Sequence, residues 1–487
     1  MDARPNDERP ADAVIATRSL PPTARAAQLV EGNLASGALW LLISNMTYAA
    51  CQWGALVAIS KMKPPVSLGH FGLAMAVATP VVMVTGFALR AVQATDVQRR
   101  YTFAEYLTVR LAANVAAAVI MAIVVLNGFE RGAALILIPL GVAKLAEATS
   151  ESCYGLSQLY HRMRFVALSK LARGALGLIA MVTVVTRGGT LAHGTWALAA
   201  AWTAFLIGVD LPAAAALEPV FARPRLTALR RLTADNAPLG AVHGAIALTQ
   251  SVPRYLLAMS HGAAAVGYFT AIAALVPALD QIAAAFGHAA APRLGWAAAV
   301  DRRRFRVLLK RFLGMTAALS LLLATAAAGG GEHFLHLAYT ADYAQYRAAL
   351  VLVTMAAGFT MMNTISFFAL VARRRPRMQL AIQCVGLLAT AASAALLVPR
   401  FSVTGAAAAL AFGGATMAIV SARILLRADS ADTGSTRRPQ ATSSVTDVRG
   451  YAAGPQQPAS TSTVRRVASG SFTTTRPTVK SRRSAPS

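Results

Sequence analysis

The sequence predicts an all-α integral membrane protein, with about twelve transmembrane helices arranged as two pseudo-symmetric six-helix bundles around a central cavity. Three observations carry this. Of the 487 residues, 56% are hydrophobic and only 14% charged, at a mean hydropathy of +0.52, outside the soluble globular range. Apolar runs near the length that a helix needs to cross a bilayer alternate with short basic connections. Within several of those runs, polar side chains recur at steps of three and four, which puts them on one face of a helix.

The spans are expected at about 36–60, 67–89, 107–128, 133–158, 165–186, 192–214, 237–259, 264–288, 308–328, 348–372, 378–398 and 403–425. A formal net charge of +26 would suggest a nucleic-acid ligand in a soluble chain. Here the basic residues cluster at Arg99/Arg100, Arg162/Arg164, Arg230/Arg231, Arg302 to Arg306 and Arg373 to Arg377, all on one side of the predicted topology. The positive-inside rule therefore puts both termini in the cytoplasm, and the basicity reflects topology and attraction to anionic lipid headgroups rather than nucleic acid. The first apolar run is longer than a signal-peptide core, so span 1 is expected to be an uncleaved anchor.

Residues 1–34 mix Pro, Asp and Arg without periodicity and read as a cytoplasmic tail, ahead of a first bundle at 35–214. Span 1 carries Asn45, Tyr48 and Gln52 as a polar stripe, for which inter-helix hydrogen bonding and cavity lining are both open readings. Span 2 opens on Gly69-His70-Phe71 and holds Pro80, a kink site. The segment 89–110, with Arg90, Gln93, Asp96 and Arg110, reads on composition as a charged, solvated interfacial loop. Span 4 carries Lys144, Glu147, Glu151, Tyr154 and Gln158 on one face. A charge at the centre of a lipid-embedded helix costs roughly 2.5–3.5 kcal/mol, so this face is expected to line a wet path. Its alternative is a self-neutralising i, i+3 pair of Lys144 with Glu147. Lys170 and Arg173 read as the basic inner end of span 5, and Asp210 as interfacial.

Residues 215–235, with two prolines and four arginines, form the expected cytoplasmic linker. A second bundle at 236–427 then echoes the first. His243, Gln250 and Arg254 stripe span 7 as Asn45, Tyr48 and Gln52 stripe span 1, and Gly267-Tyr268-Phe269 with Pro277 repeats the opening of span 2. Asp280 lies in the inner half of span 8, and the longest outer loop is 329–347, with Tyr339, Tyr343 and Tyr346. Residues 428–487 shift to Ser, Thr, Pro and Arg, a disordered cytoplasmic tail by composition. Cys51, Cys153 and Cys384 read as small apolar side chains.

The chemistry left is that of charges in spans. Glu332 to His336, EHFLH, has its Glu before the first His and is no zinc-protease motif; no Walker sequence or dinucleotide turn occurs. Lys144 and Arg254 are expected to make the cavity attractive to an anion such as a phosphate, with snorkelling to the outer surface as the alternative for Arg254. Glu147, Glu151 and Asp280 are candidates for a coupling proton or Na+, with Asn45, Tyr48, Gln52 and Gln250 as further cavity candidates. No metal, organic cofactor or catalytic residue is expected.

Five segments resemble the polysaccharide-biosynthesis flippases, the Wzx-like members of the superfamily that also holds the multidrug MATE exporters. They are Leu89-Arg90 through Asp96 with Tyr106 and Arg110; Lys144, Glu147, Tyr154-Gly155 and Gln158; Pro253-Arg254-Tyr255 with Gly267-Tyr268-Phe269; Pro292-Arg293-Leu294; and Tyr339 to Tyr343. The resemblance runs from about residue 34 to 425; the basic tail and the abundance of alanine depart from the pattern. It implies a MATE-like fold whose lobes rock to open the cavity alternately, and translocation of an undecaprenyl-pyrophosphate-linked oligosaccharide across a bacterial inner membrane. It also implies work beside a polysaccharide polymerase and its chain-length machinery. Three other readings are a cation-coupled multidrug exporter, a membrane polymerase or ligase, and a non-transporting scaffold.

Overall fold

The computed structural model describes residues 22–220, 222–300, 302–372 and 377–431. The tail segments 1–21 and 432–487, the basic cluster 373–376, and the side chains of Pro292 and Arg293 lie outside what is described.

Thirteen helices follow in order: α1 (Pro22–Met62), α2 (Pro65–Thr85), α3 (Leu89–Ala94), α4 (Phe103–Leu126), α5 (Arg131–Leu159), α6 (Met163–Thr186), α7 (Leu191–Ala215), α8 (Leu226–Ala273), α9 (Leu275–Val300), α10 (Arg302–Ala338), α11 (Ala341–Ala344), α12 (Arg347–Ala372) and α13 (Arg377–Ala431). No strand occurs among the described residues. Nine helical stretches there are long and apolar enough to span a membrane. Two of these, Leu226–Ala284 and Met378–Leu425, have 59 and 48 residues, about twice one crossing. Each is broken at a single left-handed residue, Gly262 (φ 77°) in α8 and Ser402 (φ 49°) in α13. Each is therefore long enough to cross twice, and with α1 the described residues offer about twelve crossings.

The lipid-facing surface follows from α4, where Leu111, Val115, Val119 and Ile123 are exposed at steps of four while Ala113, Ala117 and Met121 are buried. Between the bundles, small residues let backbones approach. A Cβ at Gly69 would strike the carbonyl of Ala263, and one at Gly267 the carbonyl of Pro65. The two Gly-aromatic-Phe openings of the repeat thus meet each other, α2 against the second limb of α8. The first limb of α8 runs along the rest of α2, with Tyr255 Oη donating to the Ala76 carbonyl and Gly244 set against Val84.

Near the C-terminal end of α1, the first bundle meets the second. Trp53 Nε1 donates to Tyr339 Oη at 2.9 Å, Tyr339 Oη donates to the Ala271 carbonyl at 2.8 Å, and Lys61 Nζ reaches the Leu337 carbonyl at 3.0 Å. Burial pushes the Tyr339 hydroxyl up to about 12, so it stays a donor. The expected outer loop 329–347 is itself mostly helical: α10 runs to Ala338 and α11 follows. Tyr339 and Tyr343 stack there at 5.0 Å between ring centroids, with Tyr268 edge-on to Tyr343 at 4.9 Å.

The segment 89–110 departs from the expected solvated loop. Gly86 ends α2, Phe87 and Ala88 both take positive φ, and the chain turns into α3, whose Leu89 and Gln93 are buried. Arg110 holds this elbow by donating to the Gly86 carbonyl at 3.2 Å and to Ser152 Oγ at 3.2 Å. Thr102 and Glu105 form a capping box at the start of α4. Glu105 also takes Arg225 Nε at 2.8 Å and Nη2 at 3.2 Å, while Glu218 accepts from the Phe103 amide at 3.0 Å. The connection between the bundles is therefore fastened along the first bundle, and α8 begins at Leu226, inside the expected linker segment 215–235.

Candidate functional site

The site is built on α5, whose helical spacing carries Lys144, Glu147, Glu151 and Tyr154 into the interior of the first bundle. α6 faces it with Ser169, Lys170 and Arg173, which a step of three sets on one side of that helix. α1 brings Asn45, Tyr48 and Gln52, α3 brings Arg90, and α7 brings Trp202 and Asp210.

Glu147 accepts from Tyr48 Oη and lies 3.4 Å from Arg173 Nη2 through the same oxygen, while its other oxygen pairs with Lys144 Nζ at 2.9 Å. One turn further along α5, Glu151 pairs with Arg90 through one oxygen and with Lys170 Nζ at 3.1 Å through the other. Arg173 Nη2 also lies 3.9 Å from Glu151, so a single guanidinium nitrogen bridges both carboxylates. Four cations meet two carboxylates, a formal excess of two positive charges. Counting the flanking Arg110 and Asp210 adds one charge of each sign and leaves that excess unchanged.

Arg173 is fully buried, and its Nε and Nη1 have no hydrogen-bond partner. Three rings surround its guanidinium instead: Trp202 at 5.2 Å, Tyr154 at 5.5 Å and Tyr48 at 5.6 Å from the ring centroids. Such cation–π contacts stabilise a desolvated guanidinium yet leave its in-plane donors unused. Gln52 Nε2 donates to Tyr48 Oη at 2.8 Å and Lys170 Nζ to Asn45 Oδ1 at 3.4 Å, so the α1 stripe faces this cluster.

Asp210, expected at the interface, is fully buried, accepting from Ser169 Oγ at 2.5 Å and Tyr154 Oη at 3.1 Å. A π-helical turn over Leu206–Asp210 aims it there. Pro212 explains the turn, because it lacks an N–H and its ring crowds the carbonyl four residues back.

The second bundle differs. Arg254, expected to face Lys144 across a cavity, donates to the Gln250 carbonyl at 2.8 Å, points Nε at Thr270 Oγ1 at 3.4 Å and lies 5.7 Å from the Phe269 ring. Lys144 takes the i, i+3 pair with Glu147. Asp280 accepts from Thr364 Oγ1 at 2.6 Å, apart from the other candidate carboxylates. Gln250 enters through its backbone carbonyl, which accepts from Arg254.

Sequence reasoning missed Arg90, Lys170, Arg173 and Asp210 as parts of the site. Positive-inside logic absorbed the first three as topology. The signal was present: Lys170 and Arg173 share a helix face with Ser169 nearby, deep enough in an apolar span to require acids opposite. Among the described residues no cluster of His, Cys, Asp and Glu is arranged to hold a metal ion.

A family model for polysaccharide biosynthesis proteins matches residues 34–296, more than half of the chain. The chain belongs to that family. Its members' segment thus contains the whole of the α1–α5–α6 cluster, Arg254 and the paired glycines. The sequence matches no curated protein. Solved structures share the fold. An inward-facing multidrug resistance MATE family transporter of the MOP superfamily superposes with a TM-score of 0.57 at 14% identity, covering 82% of this chain and 96% of its own. The MATE transporter VcmN of Vibrio cholerae gives 0.55 at 14% identity, with 82% and 97% covered. A MOP superfamily transporter from Pyrococcus furiosus, described as having a binding pocket of reverse polarity, gives 0.53 at 12% identity, with 82% and 96% covered. This family member therefore has the MATE/MOP fold, a multi-pass helical architecture of two bundles.

Proposed function

We propose that this protein is a flippase, moving a diphosphate-linked oligosaccharide on a polyprenyl carrier from the cytoplasmic to the periplasmic leaflet of a bacterial inner membrane. The observation that carries the reading is the cation-rich cluster inside the first bundle, in a chain of the polysaccharide biosynthesis family. A buried surplus of positive charge with unused guanidinium donors suits a diphosphate headgroup, because charge-assisted bonds to phosphate oxygens would complete it. A pathway for cationic drugs would need the opposite surplus, and here both acids are already neutralised.

Alternating access is the transport mode: the fastened outer ends close one side, and the lobes rock about the α2–α8 seam. Glu147 and Glu151, once released from their cations, are the places for a coupling proton or Na+. Both termini face the cytoplasm, and the polysaccharide polymerase with its chain-length machinery receives the product. Short, largely helical outer connections offer little room for a polymerase or ligase centre.

Deleting the gene tests this. Surface polysaccharide is expected to fall and lipid-linked repeat units to accumulate on the inner leaflet, with both restored by the wild-type gene and not by a Lys170→Ala plus Arg173→Ala variant present at normal level. Normal polysaccharide in the deletion strain overturns it.

A further inference from the structure

We infer that Glu147 and Glu151 are built-in competitors for the ligand, occupying the positions that the two phosphates of a diphosphate take when it binds. The inference rests on the flippase reading above and assigns to these acids a role opposite to that of ligand-binding residues.

The geometry is that of two anionic groups bridged by one guanidinium. The carboxylates stand one helical turn apart on α5, and Arg173 Nη2 reaches one at 3.4 Å and the other at 3.9 Å. Each has further cations of its own: Lys144 on Glu147, and Arg90 and Lys170 on Glu151. A diphosphate offers the same pattern, two adjoining anionic centres, with more acceptor oxygens than two carboxylates supply. The acids satisfy the cations incompletely, since Arg173 Nε and Nη1 are buried and unpartnered. Without any internal anion the four cations would repel one another in the empty transporter, so the acids hold the site assembled between cycles. An incoming headgroup must exchange with them, and the same carboxylates, returning to their cations, expel it on the far side.

The order of exchange follows the depth of the pairs. Glu151 is 23% exposed and its partner Arg90 22%, whereas Lys170 is 8% exposed and Arg173 not at all. The Arg90–Glu151 pair, nearest the cytoplasm, opens first. Arg90 stands on α3 beyond the Phe87–Ala88 elbow and is the first of the cluster's cations a headgroup entering from that side would meet.

The test is the binding of undecaprenyl pyrophosphate to the full-length protein in lipid nanodiscs, by microscale thermophoresis. For Glu151→Gln and for Glu147→Gln the Kd is expected to fall about tenfold, because a competing charge is removed and its cations remain. For Lys170→Gln it should rise about tenfold on the same scale. Glu151→Asp, which keeps the charge, should bind like wild type, and in a flipping assay the two Gln variants should turn over more slowly as release becomes limiting. Should one Gln variant fail to fold, the other gives the same readout. Wild-type binding with either folded Gln variant binding no tighter overturns the competitor role and leaves the flippase reading standing. If the wild type does not bind the lipid diphosphate at all, both fall.

Discussion

At the scale of single residues the site turns on Arg173, whose side chain combines full burial, two bridged acids and three rings. Its removal leaves each carboxylate a partner, because Glu147 keeps Lys144 and Tyr48, and Glu151 keeps Arg90 and Lys170. We therefore expect Arg173→Gln to lower stability by about 1–3 kcal/mol, the cost of rearranged buried polar groups, read by thermal unfolding in detergent. Flipping should fall at least tenfold in proteoliposomes. Arg173→Lys should not rescue it, since the shorter side chain holds its ammonium short of the place of Nη2 and lacks the flat face that the three rings enclose. Full activity in Arg173→Lys would mean that only the charge matters. The acids Glu147 and Glu151 were legible in the sequence because carboxylates in an apolar span have no topological excuse. Arg90, Lys170 and Arg173 do have one, and near the cytoplasmic side they blend into the positive-inside pattern; only the fold shows which basic residues turn inward.

At the scale of elements, two features set how the helices deliver these groups. The first is the π turn of α7, which Pro212 enforces and which directs Asp210 to Ser169 and Tyr154. Pro212→Ala restores an N–H and is expected to draw the turn toward regular α-helix, shifting Asp210 out of register. The expected signature is lower transport with little change in helix content by circular dichroism, and transport at the wild-type rate would remove the turn from the argument. The second is the meeting of α2 and α8. Gly267→Val puts branched carbons against the Pro65 carbonyl and forces the helices apart, so both melting temperature and transport should drop; a valine tolerated at Gly295, where nothing lies within 4 Å, serves as the contrast. The repeated Gly-aromatic-Phe openings, with their prolines, were readable as an echo between halves. That the two glycines touch one another was not readable, because contact across a pseudo-symmetry axis leaves no periodic trace in either helix. In the same way, apolar length located the spans, while α8 and α13 hide their turns in one residue each, Gly262 and Ser402.

At the scale of the whole molecule, the bundles meet at one end through Trp53, Lys61, Tyr339 and the Leu337 carbonyl. Alternating access requires these contacts to open once per cycle. Lys61→Cys with Leu337→Cys, in a background lacking the three native cysteines, is expected to be joined by a bifunctional methanethiosulfonate reagent, which spans the gap left by the lysine stem, stops flipping and is reversed by a reductant. Undiminished flipping by the cross-linked protein would argue against rocking at this end. The architecture of two six-span halves was legible from the run lengths and charge asymmetry. The two expected cavity cations each take a partner close by in sequence, Lys144 three residues along its helix and Arg254 the carbonyl four residues before it, pairings that the helical spacing alone made readable.

The pinning of Arg225 and Glu218 onto the start of α4 bears on how the chain is put together. The covalent link itself then contributes little to holding the halves to each other; that is left to the long α2–α8 seam and to Arg225, the N-cap residue of α8, which sits on Glu105. Two separate polypeptides, divided near residue 222, should then find each other in the bilayer and reconstitute a working protein when co-expressed.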